Sequence, residues 1–108
     1  MAQMAWMTND PDTLPFPALR SDARPEEGGF NSGYYQNAEL DEILVEARRS
    51  TDQEERAELY RRVQEIVHEE APWLFVANWV QNAVTSDRVD GLRLEPSFVL
   101  LLKDVTKK

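Results

Sequence analysis

The sequence contains no cysteine, a single histidine and only four glycines among its 108 residues. Without cysteine there is no disulfide, no thiolate nucleophile and no cysteine-ligated metal, and the redox compartment is not indicated. The one histidine, His68, lies beside the apolar stripe of a predicted helix, where a solvated side chain is typical. The sequence has no glycine-rich phosphate loop, nucleophile elbow or histidine metal pattern, so we predict neither an enzyme nor a cofactor site.

Positive charge is also scarce. Twelve Lys and Arg against twenty Asp and Glu give a formal net charge of -8. This charge works against binding to nucleic-acid phosphates and to anionic membrane surfaces, so we predict no nucleic-acid partner. The carboxylates of segment 54–70 alternate with arginines, which is typical of a solvated helix face rather than of a cation site.

Long hydrophobic runs are absent too. The longest apolar run near the C-terminus, Phe98–Leu102, is far below the ~20 residues of a membrane-spanning helix. The segment Met1–Met7 lacks the basic region and the cleavage site of a signal peptide. The composition is typical of globular proteins, with 42% hydrophobic and 30% charged residues, and the length fits one small domain.

The first 36 residues hold four of the six prolines and three of the four glycines. Proline fixes φ and removes a hydrogen-bond donor. After a short apolar strand at Ala2–Met7, the pattern therefore predicts a long irregular loop. Loops of that length in compact domains are usually functional or incomplete.

Residues 37–71 change to helical spacing and predict a helical hairpin at about Ala38–Glu70. Asn37 is a predicted N-cap of the first helix, and Thr51 with Glu54 predicts a capping box for the second. The apolar faces are set by five residues: Leu40, Leu44, Leu59, Val63 and Val67. Two pairs of opposite charge are expected at i,i+4 spacing: Asp52 with Arg56, and Glu58 with Arg62.

Residues 72–102 predict short strands. The apolar stretches are Trp73–Ala77, Trp79–Val84 and Phe98–Leu102, and Val89-Asp90-Gly91 is a turn signal. Residues 103–108 are expected to be a frayed tail. The predicted fold class is therefore mixed α/β (α+β), with a helical hairpin packed on a few short strands.

Three features occur in a fixed order along the chain. The first is a Trp followed by a loop with Pro and Asp, Trp6–Asp12, and the second is the segment Asn31–Leu44, which leads into the paired helices. The third is a series of short pieces: Ala47-Arg48, Asp52 to Arg56, Leu59-Tyr60 and Ala71-Pro72-Trp73. In this order they resemble the C-terminal portion of a bacterial extracellular solute-binding protein of family 5, the peptide and nickel family, over roughly residues 4–94.

The resemblance implies a two-lobed, periplasmic-binding-protein-like fold that closes around a peptide or a similar small solute. It also implies ABC permease subunits as partners, and a periplasmic or cell-surface anchored location. Whole family members are several times longer, so we expect residues 1–108 to be a C-terminal fragment that needs the remaining lobes. Apolar surface without its natural cover would favour self-association of such a fragment.

The resemblance also implies ligand-binding residues. Trp6 matches a position whose indole helps to wall the ligand cleft, although a core aromatic explains Trp6 equally well. Asn9 stands where peptide-binding members carry an Asp that pairs with the ligand's ammonium. Asp10 or Asp12 would replace that carboxylate if the shorter loop shifts register, and the alternative is a plain turn.

A second function from a different class fits the same helices. The alternative is an autonomous helical-hairpin interaction domain with no transport role. The two hypotheses differ in their partner, because a cleft lobe needs the rest of its protein and an interaction module works alone.

Overall fold

The computed structural model describes residue 6 and residues 9–77, 80–95 and 99–108. The chain divides into two units. The first comprises Asp10–Phe75, and the second comprises Val76–Lys108 together with Trp6 and Asn9. The first unit is helical and the second contains small sheets, so the mixed α+β class is confirmed. None of the described helices combines the length and the apolarity needed to cross a bilayer.

The first unit is built on a helical hairpin. Helix α1 spans Pro15–Leu19, a 3₁₀ turn spans Pro25–Glu27, α2 spans Ala38–Arg49 and α3 spans Gln53–Glu70. Helix α2 packs against α3, so the predicted hairpin is confirmed. Two proline-led helical turns interrupt the predicted irregular loop, because proline at N1 already has the helical φ and its missing N–H is not needed there.

The caps of the two long helices differ from prediction at one position. The Oδ1 atom of Asn37 accepts a hydrogen bond from the Leu40 backbone N–H at 2.9 Å, which confirms the predicted cap of α2. Helix α3 is capped by Asp52, whose Oδ1 accepts from the Glu55 N–H at 2.8 Å. The predicted box at Thr51 is therefore wrong by one residue, because the equally suitable acceptor at Asp52 starts the helix.

The hydrophobic core lies between α1, α2 and α3. Its buried members are Leu19, Leu40, Leu44, Ala47, Tyr60, Val63 and Ile66. Among the five predicted face residues, Leu40, Leu44 and Val63 are buried, whereas Leu59 and Val67 are half-buried and pack against this cluster. The 3.6-residue period thus located the core correctly, since side chains three and four positions apart share one helix face.

Neither predicted i,i+4 pair forms among the described residues. Arg56 pairs with Asp10, and Arg62 pairs with Glu39 across the hairpin at 2.7 Å. The carboxylate of Asp52 is used in the cap of α3. These tertiary partners could not be inferred from spacing along one helix.

The second unit contains two short antiparallel ladders. Strand β1, Val89–Asp90, pairs with β4, Thr106–Lys107. Strand β2, Arg93–Leu94, pairs with β3, Leu100–Leu101. Gly91 connects β1 and β2 with a φ of 82°, and a Cβ atom there would lie 2.0 Å from the Asp104 carbonyl oxygen.

Thr106–Lys107 form β4 within residues 103–108, where a frayed tail was expected. The Lys108 N–H donates to the Arg88 carbonyl oxygen at 2.9 Å, and its Nζ lies 2.7 Å from Asp90. The partner strand lies well upstream, so the local sequence carries no signal for this pairing.

Two predicted strands do not form in the described part of the chain. Residues 73–77 and 80–84 contain no strand. Their exposed apolar side chains are Leu74, Phe75, Val76, Val80 and Val84. The prediction at Phe98–Leu102 is confirmed only at β3, and the predicted strand at Ala2–Met7 lies outside the described residues except for Trp6.

Candidate functional site

The candidate site is the turn Asp10–Leu14, which leads into α1. The Asp10 carboxylate accepts a hydrogen bond from the Asp12 N–H at 2.9 Å, and the Asp10 carbonyl oxygen accepts from the Thr13 hydroxyl at 2.8 Å. The Phe16 N–H then donates to the Asp12 carbonyl oxygen at 3.2 Å. An aspartate that bonds its own backbone two residues on is a typical turn former. The turn thus fixes the backbone positions of Asp10 and Asp12, from which the two carboxylates extend.

Asp12 attaches this turn to both long helices. One carboxylate oxygen accepts from Arg48 Nε at 3.0 Å and from Arg48 Nη2 at 2.8 Å. The other accepts from the Tyr60 hydroxyl at 3.1 Å. Arg48 lies on α2, Tyr60 lies on α3, and Asp12 is only 8% exposed. Two hydrogen bonds from one arginine and a third from a hydroxyl compensate this buried carboxylate for its lost hydration.

Aromatic rings support the arginines of this site. The guanidinium carbon of Arg48 lies 3.5 Å from the centroid of the Phe16 ring, and that of Arg20 lies 4.2 Å from it. These distances are typical of cation–π contacts. Phe16 on α1 therefore orients the same guanidinium that binds Asp12.

Asp10 makes a looser ion pair than Asp12. Its oxygens lie 3.2 Å and 3.5 Å from Arg56 Nη2. The side chain of Asp10 is 50% exposed and that of Arg56 is 30% exposed. Arg56 also lies over the Tyr60 ring, with its guanidinium carbon 5.6 Å from the centroid. This pair is open to solvent, where ion pairs are weak.

The Tyr60 hydroxyl remains a donor over a wide pH range. Burial, followed by the hydrogen bond to the Asp12 carboxylate, raises the pKa of Tyr60 to about 12. Both causes disfavour the phenolate, first by desolvation and then by the neighbouring negative charge. At neutral pH the Tyr60 hydroxyl is therefore always available to Asp12.

Asn31 organises the loop between α1 and α2. Its Nδ2 donates to the carbonyl oxygens of Arg20 at 2.9 Å and Tyr35 at 2.8 Å, and its Oδ1 accepts from the Tyr35 N–H at 3.0 Å. The residue is 2% exposed. Sequence reasoning included Asn31 in a motif but missed this role. The available signal was an amide side chain in a loop with many turn residues.

Glu70 fastens this loop to the end of α3. Its carboxylate accepts from the Tyr35 hydroxyl at 2.5 Å and from Asn37 Nδ2 at 2.8 Å. Burial, followed by the hydrogen bond to Glu70, raises the pKa of Tyr35 to about 12. The N-cap residue of α2 is thus held by the last residue of α3.

The four residues predicted to bind ligand are placed as follows. Trp6 is half-buried and Asn9 is exposed, and both belong to the second unit. Asp10 is exposed and Asp12 is buried, and both belong to the first unit. Their role toward a ligand stays a prediction. Within the described ranges, no cluster of three or more histidine or carboxylate side chains is arranged to hold a metal ion.

Known proteins resemble this chain by sequence. No family model and no solved structure matches it. Heme-binding protein A of Haemophilus influenzae is 42% identical over 87 residues, which is 81% of this chain and 15% of that protein. The probable di/tripeptide-binding protein 5 of Pseudomonas aeruginosa is 28% identical over 93 residues, which is 86% of this chain and 18% of that protein. The glutathione-binding protein GsiB of Pectobacterium atrosepticum is 29% identical over 75 residues, which is 69% of this chain and 15% of that protein.

The chain belongs to family 5 of the extracellular solute-binding proteins. This family 5 chain matches the C-terminal part of its relatives and spans 15% to 18% of the length of these three. The family predicted from the ordered motifs is confirmed. All three relatives are named as binding proteins, for three different ligands.

Proposed function

We propose that this family 5 chain is part of the substrate-binding subunit of an ABC importer for peptides or a similar small solute. The observation that carries the proposal is the set of matches, over 69% to 86% of the chain, to proteins named for binding heme, di- and tripeptides, and glutathione. A shared role in solute capture explains why three different ligand names occur among relatives of one segment.

The proposal includes the setting of the whole protein. It would have two lobes that close on the solute, act in the periplasm or at the cell surface, and deliver the solute to ABC permease subunits. Such a protein performs no chemistry on its ligand, so the proposal assigns no catalytic residue. The alternative, an autonomous helical-hairpin interaction domain, gains no support from the comparisons.

We assign ligand binding to Trp6, Asn9, Asp10 and Asp12, each with a different part. The indole of Trp6 offers a flat apolar surface, and the Asn9 amide offers a donor and an acceptor. Asp10 offers a half-exposed negative charge. Asp12, whose two oxygens are bonded to Arg48 and Tyr60, holds the turn that carries Asp10.

Isothermal titration calorimetry tests this function. The natural protein, expressed from its complete gene, is titrated with trialanine, glutathione and hemin, and glucose serves as a negative control. We expect saturable binding of at least one of the three probes and none of glucose. Absence of binding to all three would refute the proposed function and favour the interaction domain.

A further inference from the structure

The loop between α1 and α2 has a firmly held backbone. The Phe30 N–H donates to the Pro17 carbonyl oxygen, and the Asn31 N–H donates to the Ala23 carbonyl oxygen, both at 2.8 Å. A Cβ atom at Gly29 would lie 2.1 Å from the same Ala23 oxygen, so the two chain segments approach closely there. Side chains on this loop therefore extend from a fixed base.

Two aromatic side chains of this loop are exposed. Phe30 is 51% exposed and Tyr34 is 53% exposed, and the buried Asn31 lies between them in sequence. Aromatic residues are enriched at the centres of protein interfaces, because a ring offers a large contact area with few rotatable bonds. A backbone that is already ordered lowers the entropic cost of binding. The loop thus has the properties of an interaction surface.

The backbone of Tyr34 is strained. Its φ is 52°, in the left-handed region, which is uncommon for a bulky residue and easy for glycine or asparagine. The Tyr34 N–H donates to the Asn31 carbonyl oxygen at 3.3 Å, and the Tyr35 N–H donates to Asn31 Oδ1 at 3.0 Å. Because the Tyr34 ring is half exposed, core packing does not account for a tyrosine at this position. Residues held in such conformations concentrate at functional sites.

Negative charge lies beside the Tyr34 ring. The Tyr34 hydroxyl donates to the Glu26 carboxylate. This hydrogen bond is the main cause that lowers the pKa of Glu26, and the charge of Arg24 is a minor one. Glu26 therefore stays ionised, and its neighbour Glu27 is also exposed. The face of a tyrosine ring attracts lysine and arginine side chains, and a carboxylate next to its hydroxyl adds to the attraction. The partner that fits this loop is cationic.

We propose that Phe30, Tyr34 and Glu26 form a docking surface for a cationic segment of the ABC permease. The inference rests on the proposed function, in which such subunits receive the solute, and it names the surface that makes the contact. An arginine or lysine of the permease lies over the Tyr34 ring and pairs with Glu26, while Phe30 packs against the apolar part of the same segment. The formal net charge of -8 favours the approach of a cationic partner.

Biolayer interferometry tests the docking surface. The natural protein, expressed from its complete gene, is immobilised, and its ABC permease in nanodiscs is the analyte. Tyr34→Asn removes the ring but suits the left-handed backbone, and it should weaken permease binding about tenfold, as loss of a central interface aromatic does. Tyr34→Phe keeps the ring and should bind within about threefold of the parent. Unchanged binding of Tyr34→Asn would refute the docking surface.

Charge and apolarity have separate controls. Glu26→Gln should weaken permease binding about two- to fivefold at low salt and should make the affinity less dependent on salt. Glu54→Gln removes an exposed carboxylate from α3, and Val84→Asn removes an apolar side chain that is 97% exposed in the second unit. We expect no change from either control. An effect of Glu54→Gln equal to that of Glu26→Gln, or of Val84→Asn equal to that of Tyr34→Asn, would overturn the inference.

Stability and mass show whether something else covers the Tyr34 ring. In the natural protein, Tyr34→Asn should leave the urea midpoint unchanged or raised, because asparagine adopts the left-handed region more easily. A lowered midpoint would show that the remainder of the same protein covers the ring, and the docking surface would be refuted. A parent that sediments as a dimer and a Tyr34→Asn variant that sediments as a monomer would assign the surface to a second copy, which also refutes it.

Titration calorimetry with trialanine, glutathione and hemin separates this inference from the proposed function. Solute affinity should be the same for the parent and for Tyr34→Asn. If solute and permease affinity fall together, the ring belongs to the solute site and the docking surface is refuted. A parent that binds a solute but not the permease refutes the inference and leaves solute capture intact, whereas a parent that binds neither refutes both.

Discussion

Asp12 joins three helices that are distant in sequence. Its backbone carbonyl begins α1, and its side chain binds Arg48 and Tyr60, which are 36 and 48 positions away. The sequence indicated only that Asp10-Pro11-Asp12 forms a turn or contributes a carboxylate to a ligand. It could not distinguish the two aspartates, because their difference lies in partners supplied by α2 and α3.

Asp12→Asn is expected to destabilise the protein. The amide cannot accept from both Arg48 and Tyr60 as the carboxylate does, and it leaves the guanidinium without its counter-charge. Hydrogen bonds to charged groups contribute about 1.5–3 kcal/mol, and the half-exposed Arg48 limits the loss to about 2 kcal/mol. Urea unfolding followed by circular dichroism measures it. The matched control, Asp10→Asn, should cost less than about 1 kcal/mol, and equal costs would contradict the anchoring role of Asp12.

Alkaline pH should weaken the fold through two tyrosines. The pKa of Tyr35 and of Tyr60 is raised from 10.0 to about 12. The folded state therefore holds each phenolic proton more tightly than the unfolded state does. The contribution of these two protonated tyrosines to the free energy of unfolding is complete below about pH 10 and is lost as the pH rises from about 10 to about 12.

Urea midpoints measured at a series of pH values between about 9 and 11.5 should show this decline. Tyr60→Phe cannot ionise at that position, so its decline should be shallower than that of the parent. If Tyr60→Phe and the parent decline with the same slope, the raised pKa of Tyr60 is wrong.

At the scale of elements, the two long helices α2 and α3 were predictable, whereas only β3 of the described strands was predicted. A helix is specified by neighbours within four residues, and Leu40 and Leu44 lie one turn apart on the buried face. A strand needs a partner, and the partner of β1 is β4, near the other end of its unit. The apolar stretch that begins at Trp73 has high strand propensity but forms no ladder in the described residues. Strand propensity describes how well a side chain packs on a sheet, and it does not supply a partner strand.

The start of α3 offers a direct test of the corrected cap. Asp52→Ala removes the acceptor of the Glu55 N–H and should cost about 1 kcal/mol. Thr51→Ala changes an exposed residue outside the cap and should be nearly neutral. Urea unfolding of both variants measures the difference. A larger loss of stability for Thr51→Ala than for Asp52→Ala would instead support the capping box predicted at Thr51.

At the scale of the whole molecule, the most exposed apolar side chains among the described residues follow α3 in sequence. Leu74 is 85% exposed, Val80 is 80% exposed and Val84 is 97% exposed. Exposed apolar side chains that follow one another along a segment often mark an interaction site, and extended segments pair readily with one another. The described part of this segment shows no ladder of its own.

We therefore expect the 108-residue chain, prepared alone, to self-associate. Sedimentation velocity should show the apparent mass rising with concentration. Replacing Leu74 and Val80 by lysine should shift the chain toward monomer, whereas lysine at the polar exposed positions Gln53 and Gln64 should not. A monodisperse monomer at high concentration would show that these exposed apolar side chains do not drive self-association.

The sequence of the whole chain was sufficient to predict the family, but it was not sufficient to predict the ligand. Ordered motifs identified family 5, because a series of features in one order is specific even when each is common. The relatives bind different solutes by name, and the chain spans only 15% to 18% of their length. Membership of the family therefore does not indicate which solute is bound.

The amide of Asn31 also bears on how the protein ages. Deamidation would turn it into a carboxylate at a position 2% exposed, facing the carbonyl oxygens of Arg20 and Tyr35, to which a carboxylate cannot donate. Ring closure requires the backbone nitrogen of Ser32 to approach this side chain, and its N–H is instead bonded to the Phe30 carbonyl oxygen at 2.8 Å. The folded loop thus protects the group that holds it together. Once the amide is lost in an unfolded molecule, the loop cannot close in the same way, and the damage persists through refolding.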